Sequence, residues 1–415
     1  MSKQKLKINV SKIREILIKS IAGKLEKYGF DYEGLCKIDK PLNENDRLIK
    51  ANLICVFSEE KIAGDKNAFV SYIQESARTF FHVLLCFIVM ERTKVIKDVL
   101  SEIFGNKLYS EIIPDFKSVH PLAYQDFVLM YEQEISNIEQ RDNNESDSDY
   151  YSILYLIKKL SLEMSKEVPI LFSDFEYNLV QPDFDAVKEV IFFINEIEDS
   201  EFLEDDFMSW IYQYWIDVNK EDIISARKER EIAYSNQLYF EIISKLEEKQ
   251  TQYGEFYTPR WVVSYIVNVT LLPYLKEKRN IREIRIVDPA CGAGNFLVHS
   301  FDVLFDEYRK EYPNLRIEEI IKLILENNIF GADIQREPLQ IAALNLWFKA
   351  KRKAFEYGIE KYKVCHTNII KANSLYRWEN EEEIIQLSIF DDVVEFTEKQ
   401  YTTEDIGRYI SAVNS

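Results

Sequence analysis

Between residues 12 and 28 the apolar side chains Ile13, Leu17, Ile21, Leu25 and Tyr28 recur every three or four positions, and Gly29 stands where helices commonly end. This spacing predicts an amphipathic helix. A second helix is predicted over about 68–93, where Phe80, Phe81, Leu84, Leu85, Phe87 and Ile88 leave almost no polar face, so it should form the buried centre of a helical domain. Helical spacing returns over 153–164 and around Ile211, Tyr214 and Trp215, and a short strand is expected at 53–57. Residues 139–149 carry no apolar side chain and are expected to form an exposed linker, 139–150. No internal repeat is visible.

After about residue 250 the texture changes. Strand-like runs at 284–287, 328–332 and 364–372 alternate with helical stretches at 295–310, 317–326 and 336–351, the pattern of a parallel sheet with crossover helices. The chain therefore divides into a mainly α amino-terminal domain, 1–250, and an α/β domain, 251–415.

With 415 residues and 47% hydrophobic content the chain can bury a large core in more than one domain. Its net charge of -19 argues against coating nucleic acid by bulk electrostatics, although a local basic groove is compatible with it. Glu204, Asp205 and Asp206 are expected to form a solvated acidic face. The apolar run 80–90 is interrupted by His82 and is shorter than the roughly 20 residues that span a bilayer. The polar opening Met1-Ser2-Lys3-Gln4-Lys5 is unlike a signal peptide, so a cytoplasmic protein without a membrane segment is expected. Five scattered cysteines, Cys36, Cys55, Cys86, Cys291 and Cys365, form no Cys-x-x-Cys pair and are expected to be reduced, with no structural metal.

Candidate chemistry is concentrated after residue 250. In Gly254-Glu255-Phe256-Tyr257-Thr258-Pro259, Thr258 and Pro259 suit the N-cap and first position of a helix carrying Val262, Val263, Ile266 and Val267. Asp288-Pro289-Ala290-Cys291-Gly292-Ala293-Gly294-Asn295 follows a strand and precedes a helix bearing Leu297, Phe301, Leu304, Phe305 and Tyr308. Strand, glycine turn and helix in that order make a ligand cradle at the carboxyl edge of a sheet. Gly292 and Gly294 let backbone approach a ligand closely. Asp288 favours a cationic or hydroxyl-bearing ligand over a bare pyrophosphate. In Phe330-Gly331-Ala332-Asp333-Ile334 a second strand ends in a carboxylate able to accept hydrogen bonds from both hydroxyls of a ribose. Asp333 lies 45 residues beyond Asp288, against about 20 in a dinucleotide-binding unit, which argues against a nicotinamide cofactor. The stripe Leu339, Ala342, Leu346 and Trp347 is read as core packing, and 368–375 closes a third strand.

Taken in this order, the motifs resemble those of the amino-methylating, adenine-specific DNA methyltransferases of the gamma arrangement. The similarity is greatest to long type IIG and phage-exclusion (BREX) methyltransferases, and is strong over about 250–375. It extends more loosely into the helical region through Ser76-Ala77-Arg78-Thr79-Phe80-Phe81 and Trp210-Ile211-Tyr212-Gln213-Tyr214. The resemblance implies an incomplete Rossmann-like domain, S-adenosylmethionine as cofactor and double-stranded DNA as partner. It implies that Phe256, Tyr257, Thr258 and Pro259 flank the methionine moiety, while Asp288, Ala290, Gly292 and Gly294 surround its amino and carboxylate ends. Asp333 would bind the ribose hydroxyls, Ile334 would pack on adenine, and Asn373 would meet the ring's exocyclic amine.

In this family an Asn-Pro-Pro-Tyr or Asp-Pro-Pro-Tyr motif holds the flipped adenine. No Pro-Pro dipeptide occurs here, and Ile389-Phe390-Asp391-Asp392-Val393-Val394 is followed by Glu395-Phe396-Thr397-Glu398, so no catalytic residue is assigned. The expectation is a chain that stops inside its catalytic domain, before the segment that reads DNA sequence, with an unpaired first strand, weak cofactor binding and a tendency to associate unless a complementary carboxyl-terminal chain supplies the rest. Two alternatives stand beside this reading. One is methyl transfer by this chain through a nonstandard motif. The other is a magnesium-dependent nuclease in the amino-terminal region, for which Asp46 with Glu59 and Lys61, after the strand expected at 53–57, is the best match.

Overall fold

The computed structural model describes residues 3–36, 42, 44–93, 157, 161, 164–172, 177, 179–253, 258–277, 280–359, 362–364 and 367–374. The linker expected at 139–150 and most of the helical stretch 153–164 lie outside these residues. Contacts divide the chain into two compact units, Met1–Phe256 and Tyr257–Ser415.

The first unit is helical. Its long helices are α1 (Lys3–Lys27), α2 (Glu44–Glu59), α3 (Lys66–Arg92), α4 (Phe184–Asn195), α5 (Phe207–Ile216), α6 (Lys220–Glu229) and α7 (Tyr234–Tyr253), with single turns at Pro169–Phe172 and Asp199–Phe202. Helix α1 packs on α3, α4, α5 and α7. Its predicted stripe is buried, and Gly29 has a φ of 93°, as a helix-terminating glycine should. The helix starts earlier than expected, because Leu6 and Val10 extend the same stripe and are equally buried. Arg14, fully buried on α1, donates from Nη1 to the carbonyls of Trp215 (2.6 Å) and Asp217 (3.0 Å) and from Nη2 to Asp222 (3.4 Å). It thereby fastens α1 to the turn between α5 and α6. Asp65 caps α3 by accepting from the backbone N–H groups of Asn67 and Ala68. By length and composition α3 could cross a bilayer, yet 89% of its most apolar window is buried against the rest of the protein, which makes it a core helix.

The strand expected at 53–57 is helical. Leu53 and Phe57, four residues apart, are buried, while Ile54 and Cys55 between them are exposed. That is the period of a helix, which the unbroken apolar run concealed. The correction also removes the strand on which the nuclease reading depended. Glu59 ends α2, Lys61 lies in the following turn with a φ of 55°, and Asp46 accepts from Lys27 Nζ at 2.7 Å. Among the described residues no cluster of His, Cys, Asp or Glu could hold a metal ion.

The second unit contains α8 (Arg260–Glu277), β1 (Ile286–Asp288), α9 (Asn295–Glu311), α10 (Ile317–Leu323), β2 (Ile329–Asp333), α11 (Arg336–Glu356) and β3 (Asn368–Lys371). The strands form a parallel sheet in the order β1-β2-β3, with Asp288 opposite Gly331 and Asp333 opposite Lys371. The predicted alternation of strand and helix is therefore present, although β1 is only three residues long. The apolar residues foreseen on α9, and Leu339, Ala342, Leu346 and Trp347 on α11, are buried. A π-helical turn, Ile324–Asn328, leads into β2. Asn328, fully buried there, accepts from Tyr308 Oη at 3.0 Å and donates to the carbonyls of Ile281 and Ile284 at 3.0 and 2.7 Å. This ties the entry of β1 to that of β2. Among the described residues β1 pairs only with β2. Beside β1 lies an open groove of about 600 Å³, lined by Ile266, Val267 and Tyr274 of α8, Ile286 and Val287 of β1, and Phe296 of α9.

Candidate ligand cradle at the sheet edge

Strands β1 and β2 both end in a carboxylate, and the chain between Asp288 and α9 turns back over the edge they form. Cys291 N–H donates to the Ala332 carbonyl at 2.9 Å, and Gly294 N–H to the Cys291 carbonyl at 2.8 Å, so the turn is pinned to β2 and folded on itself. Gly331 makes this possible by its lack of a side chain: a Cβ there would come within 2.7 Å of methyl carbons of Leu297 and Ile369 and 3.1 Å of Cys291 Sγ. Gly292 and Gly294 have φ values of 52° and 78°, the left-handed region that favours glycine. The sequence requirement for two glycines is therefore met by backbone conformation at both positions.

Asp333 is the hub of the turn. Its Oδ2 accepts from Gly292 N–H and its Oδ1 from Gln335 N–H, both at 2.9 Å, while its backbone carbonyl accepts from Ala372 N–H at 2.9 Å. Each carboxylate oxygen retains a second acceptor direction. Asp288 accepts from Ala290 N–H at 3.2 Å. Burial raises the Asp288 pKa above its ordinary value, the bond from Ala290 opposes the shift, and the negative charge of Asp333 adds to it. The two carboxylates thus sense one another across the turn. Burial likewise pushes the Cys291 thiol up, with Asp288 and Asp333 adding to the effect, so Cys291 is a neutral packing residue.

Of the residues singled out from sequence, Asp288, Ala290, Gly292, Gly294 and Asp333 come together in this turn. Ile334, next in the chain, exposes 59% of its surface. Asn373 directly follows Ala372, the residue bonded to the Asp333 carbonyl. Thr258 and Pro259 precede α8, but the helix begins one position later than expected. The Pro259 carbonyl accepts from Val262 and Val263 N–H, which makes Pro259 the capping position in place of Thr258. Phe256 and Tyr257 lie outside the described residues, as do Cys365 and the run 389–394.

Two contributors were not foreseen. Ser374 Oγ donates to the Pro289 carbonyl at 2.9 Å, and Asn345 Nδ2, from inside α11, donates to the Ala293 carbonyl at 3.0 Å. Both act on backbone carbonyls far away in the chain, which no local motif announces.

Residues 234–394 match the family model described as N-6 DNA Methylase. The chain is 23% identical to the adenine-specific methyltransferase PglX of Lacticaseibacillus casei, over 90% of this chain and 34% of that protein. It is 25% identical to the adenine-specific methyltransferase BrxX of Escherichia coli, over 54% of this chain and 20% of that protein. It is 28% identical to the type I restriction enzyme EcoEI methylase subunit of Escherichia coli, over 40% of this chain and 29% of that protein. The chain thus spans about a third or less of the length of these relatives. Over its matching segment the chain is thus similar to N-6 adenine-specific DNA methyltransferases of restriction-modification and phage-defence systems.

Proposed function

We propose that this chain is the S-adenosylmethionine-binding part of a site-specific DNA adenine methyltransferase, its three strands belonging to a Rossmann-like methyltransferase sheet. The observation that carries the reading is the meeting of two carboxylates on one glycine turn, Asp333 bonded to Gly292 N–H and Asp288 beside it. An anionic pair of this kind repels a pyrophosphate and suits a ligand that combines cationic groups with a vicinal diol. The free acceptor directions of Asp333 would take the ribose hydroxyls, and Asp288 would face the amino end of the methionine moiety. Ile334 offers an exposed apolar surface to adenine, Asn373 would accept from the ring amine, and residues 256–259 would flank the methionine chain.

When bound, S-adenosylmethionine supplies an electrophilic methyl group for the exocyclic amine of a DNA adenine. The chain's own residues hold and orient the nucleoside, and neutralise its charge in a site partly shielded from water. Double-stranded DNA is the proposed substrate of the whole enzyme.

The test is calorimetric titration with S-adenosylhomocysteine. Asp333→Ala removes the acceptor of two charge-assisted hydrogen bonds and is expected to weaken binding by on the order of a hundredfold. Equal affinity in Asp333→Ala and the unaltered chain would refute the assignment.

A further inference from the structure

Asn345 lies in the third turn of α11, is 4% exposed, and reaches out of the helix to donate to the Ala293 carbonyl at 3.0 Å. The peptide it grips is the one joining Ala293 to Gly294, whose N–H is committed to the Cys291 carbonyl. With both ends of this peptide bonded, its orientation is set and its carbonyl is drawn toward α11. Gly294, at positive φ and without a Cβ, leaves this peptide with little intrinsic resistance to a flip. A flipped peptide would turn a carbonyl oxygen outward, where a ligand carboxylate would be repelled.

We infer that Asn345 is a positioning residue for the carboxylate end of the ligand: by holding the Ala293 carbonyl inward, it keeps the rim of the glycine turn free of an opposing acceptor. The inference rests on the proposed binding of S-adenosylmethionine. Helix α11 begins directly after the Asp333–Gln335 turn, so one rigid element supports both the ribose side and the amino-acid side of the cradle. The two sides remain separable, since Asp333 acts through its own side chain and Asn345 through the Ala293–Gly294 peptide.

Two probes separate them. S-adenosylhomocysteine carries the amino-acid end, and 5′-methylthioadenosine lacks it while keeping ribose and adenine. In Asn345→Asp, an isosteric change that sets an acceptor against the Ala293 carbonyl, affinity for S-adenosylhomocysteine should fall about tenfold, the scale of one well-placed hydrogen bond. Affinity for 5′-methylthioadenosine should change less than about twofold by the same reasoning. Asn345→Ser, whose shorter side chain cannot reach the carbonyl, should show the same split and serves if the aspartate variant does not fold. Equal losses for both probes, or none for either, would overturn the inference. Failure of the unaltered chain to bind either probe would instead sink the proposed function on which it rests.

Discussion

Gly294 ends the turn and opens α9 with a φ of 78°, and a Cβ built there would stand 3.0 Å from the Cβ and 3.2 Å from the Cα of Ala342. Gly294→Ala therefore incurs two separable costs. Forcing an L-residue into the left-handed region costs about 1–2 kcal/mol. The clash adds about 1–3 kcal/mol, because one of the atoms met is backbone of α11 and relief requires the two helices to move apart. Together the loss should be about 2–5 kcal/mol. Gly358 provides the control: its φ is also 78°, but nothing lies within 4 Å of where its Cβ would be. Gly358→Ala should cost only the conformational part, about 1–2 kcal/mol. Both positions belong to the second unit, so urea unfolding of that unit, followed by fluorescence, compares them directly. Equal destabilisation by the two substitutions would refute the claim that α11 closes tightly on the glycine turn.

Arg14→Ala strands two carbonyls and Asp222 around a buried position, and should lower the stability of the first unit by about 3–5 kcal/mol in the same assay. A loss below about 1 kcal/mol, the scale of an exposed ion pair, would contradict the buried-anchor role. His82 is buried among Phe81, Tyr212 and Trp215, and its burial, aided by the charge of Arg78, holds its pKa well below 6.5. It is neutral in the fold, so as pH falls below 6.5 the unfolded chain binds a proton that the fold refuses. Stability should then fall by up to about 1.4 kcal/mol per pH unit, a slope that His82→Leu removes; an unchanged slope in the variant would contradict this. For Asp288 the folded pKa is raised above 3.8, so its contribution to stability is greatest when it is protonated and is lost as pH rises through the folded value. Asp288→Asn should melt above the unaltered chain at pH 7, converge with it at pH below 3.8, and bind S-adenosylhomocysteine more weakly; a lower melting temperature at pH 7 would reverse the argument.

The sequence revealed most where one local pattern decides the structure. Leu17, Ile21 and Leu25 mark the buried side of α1, and Leu339, Ala342 and Leu346 that of α11, because a helix repeats its environment every three to four residues. The glycine turn was legible because strand, acid, paired glycines and helix follow one another without interruption. Failures came where the deciding partner is remote. The start of α1 is rich in lysines and looks solvated, yet Lys5 and Lys7 pair with Glu196 and Asp217, about as far off in the chain as α4 and α5. Residues 53–57 form an apolar run too short to separate period two from period 3.6 without knowing that Ile54 faces away from the core. Asn345 gave no signal because one amide inside a helix is indistinguishable from any other until the backbone carbonyl it meets is known.

The central claim is that Asp288, Asp333 and the glycine turn between them form one nucleoside-binding cradle. A crystal structure of the chain grown with S-adenosylhomocysteine tests it most directly. The ribose hydroxyls should lie within hydrogen-bonding distance of Asp333, with the amino-acid end along Asp288 and the turn at 290–294. Ligand density elsewhere on the protein, with this edge of the sheet left to solvent, would contradict the account.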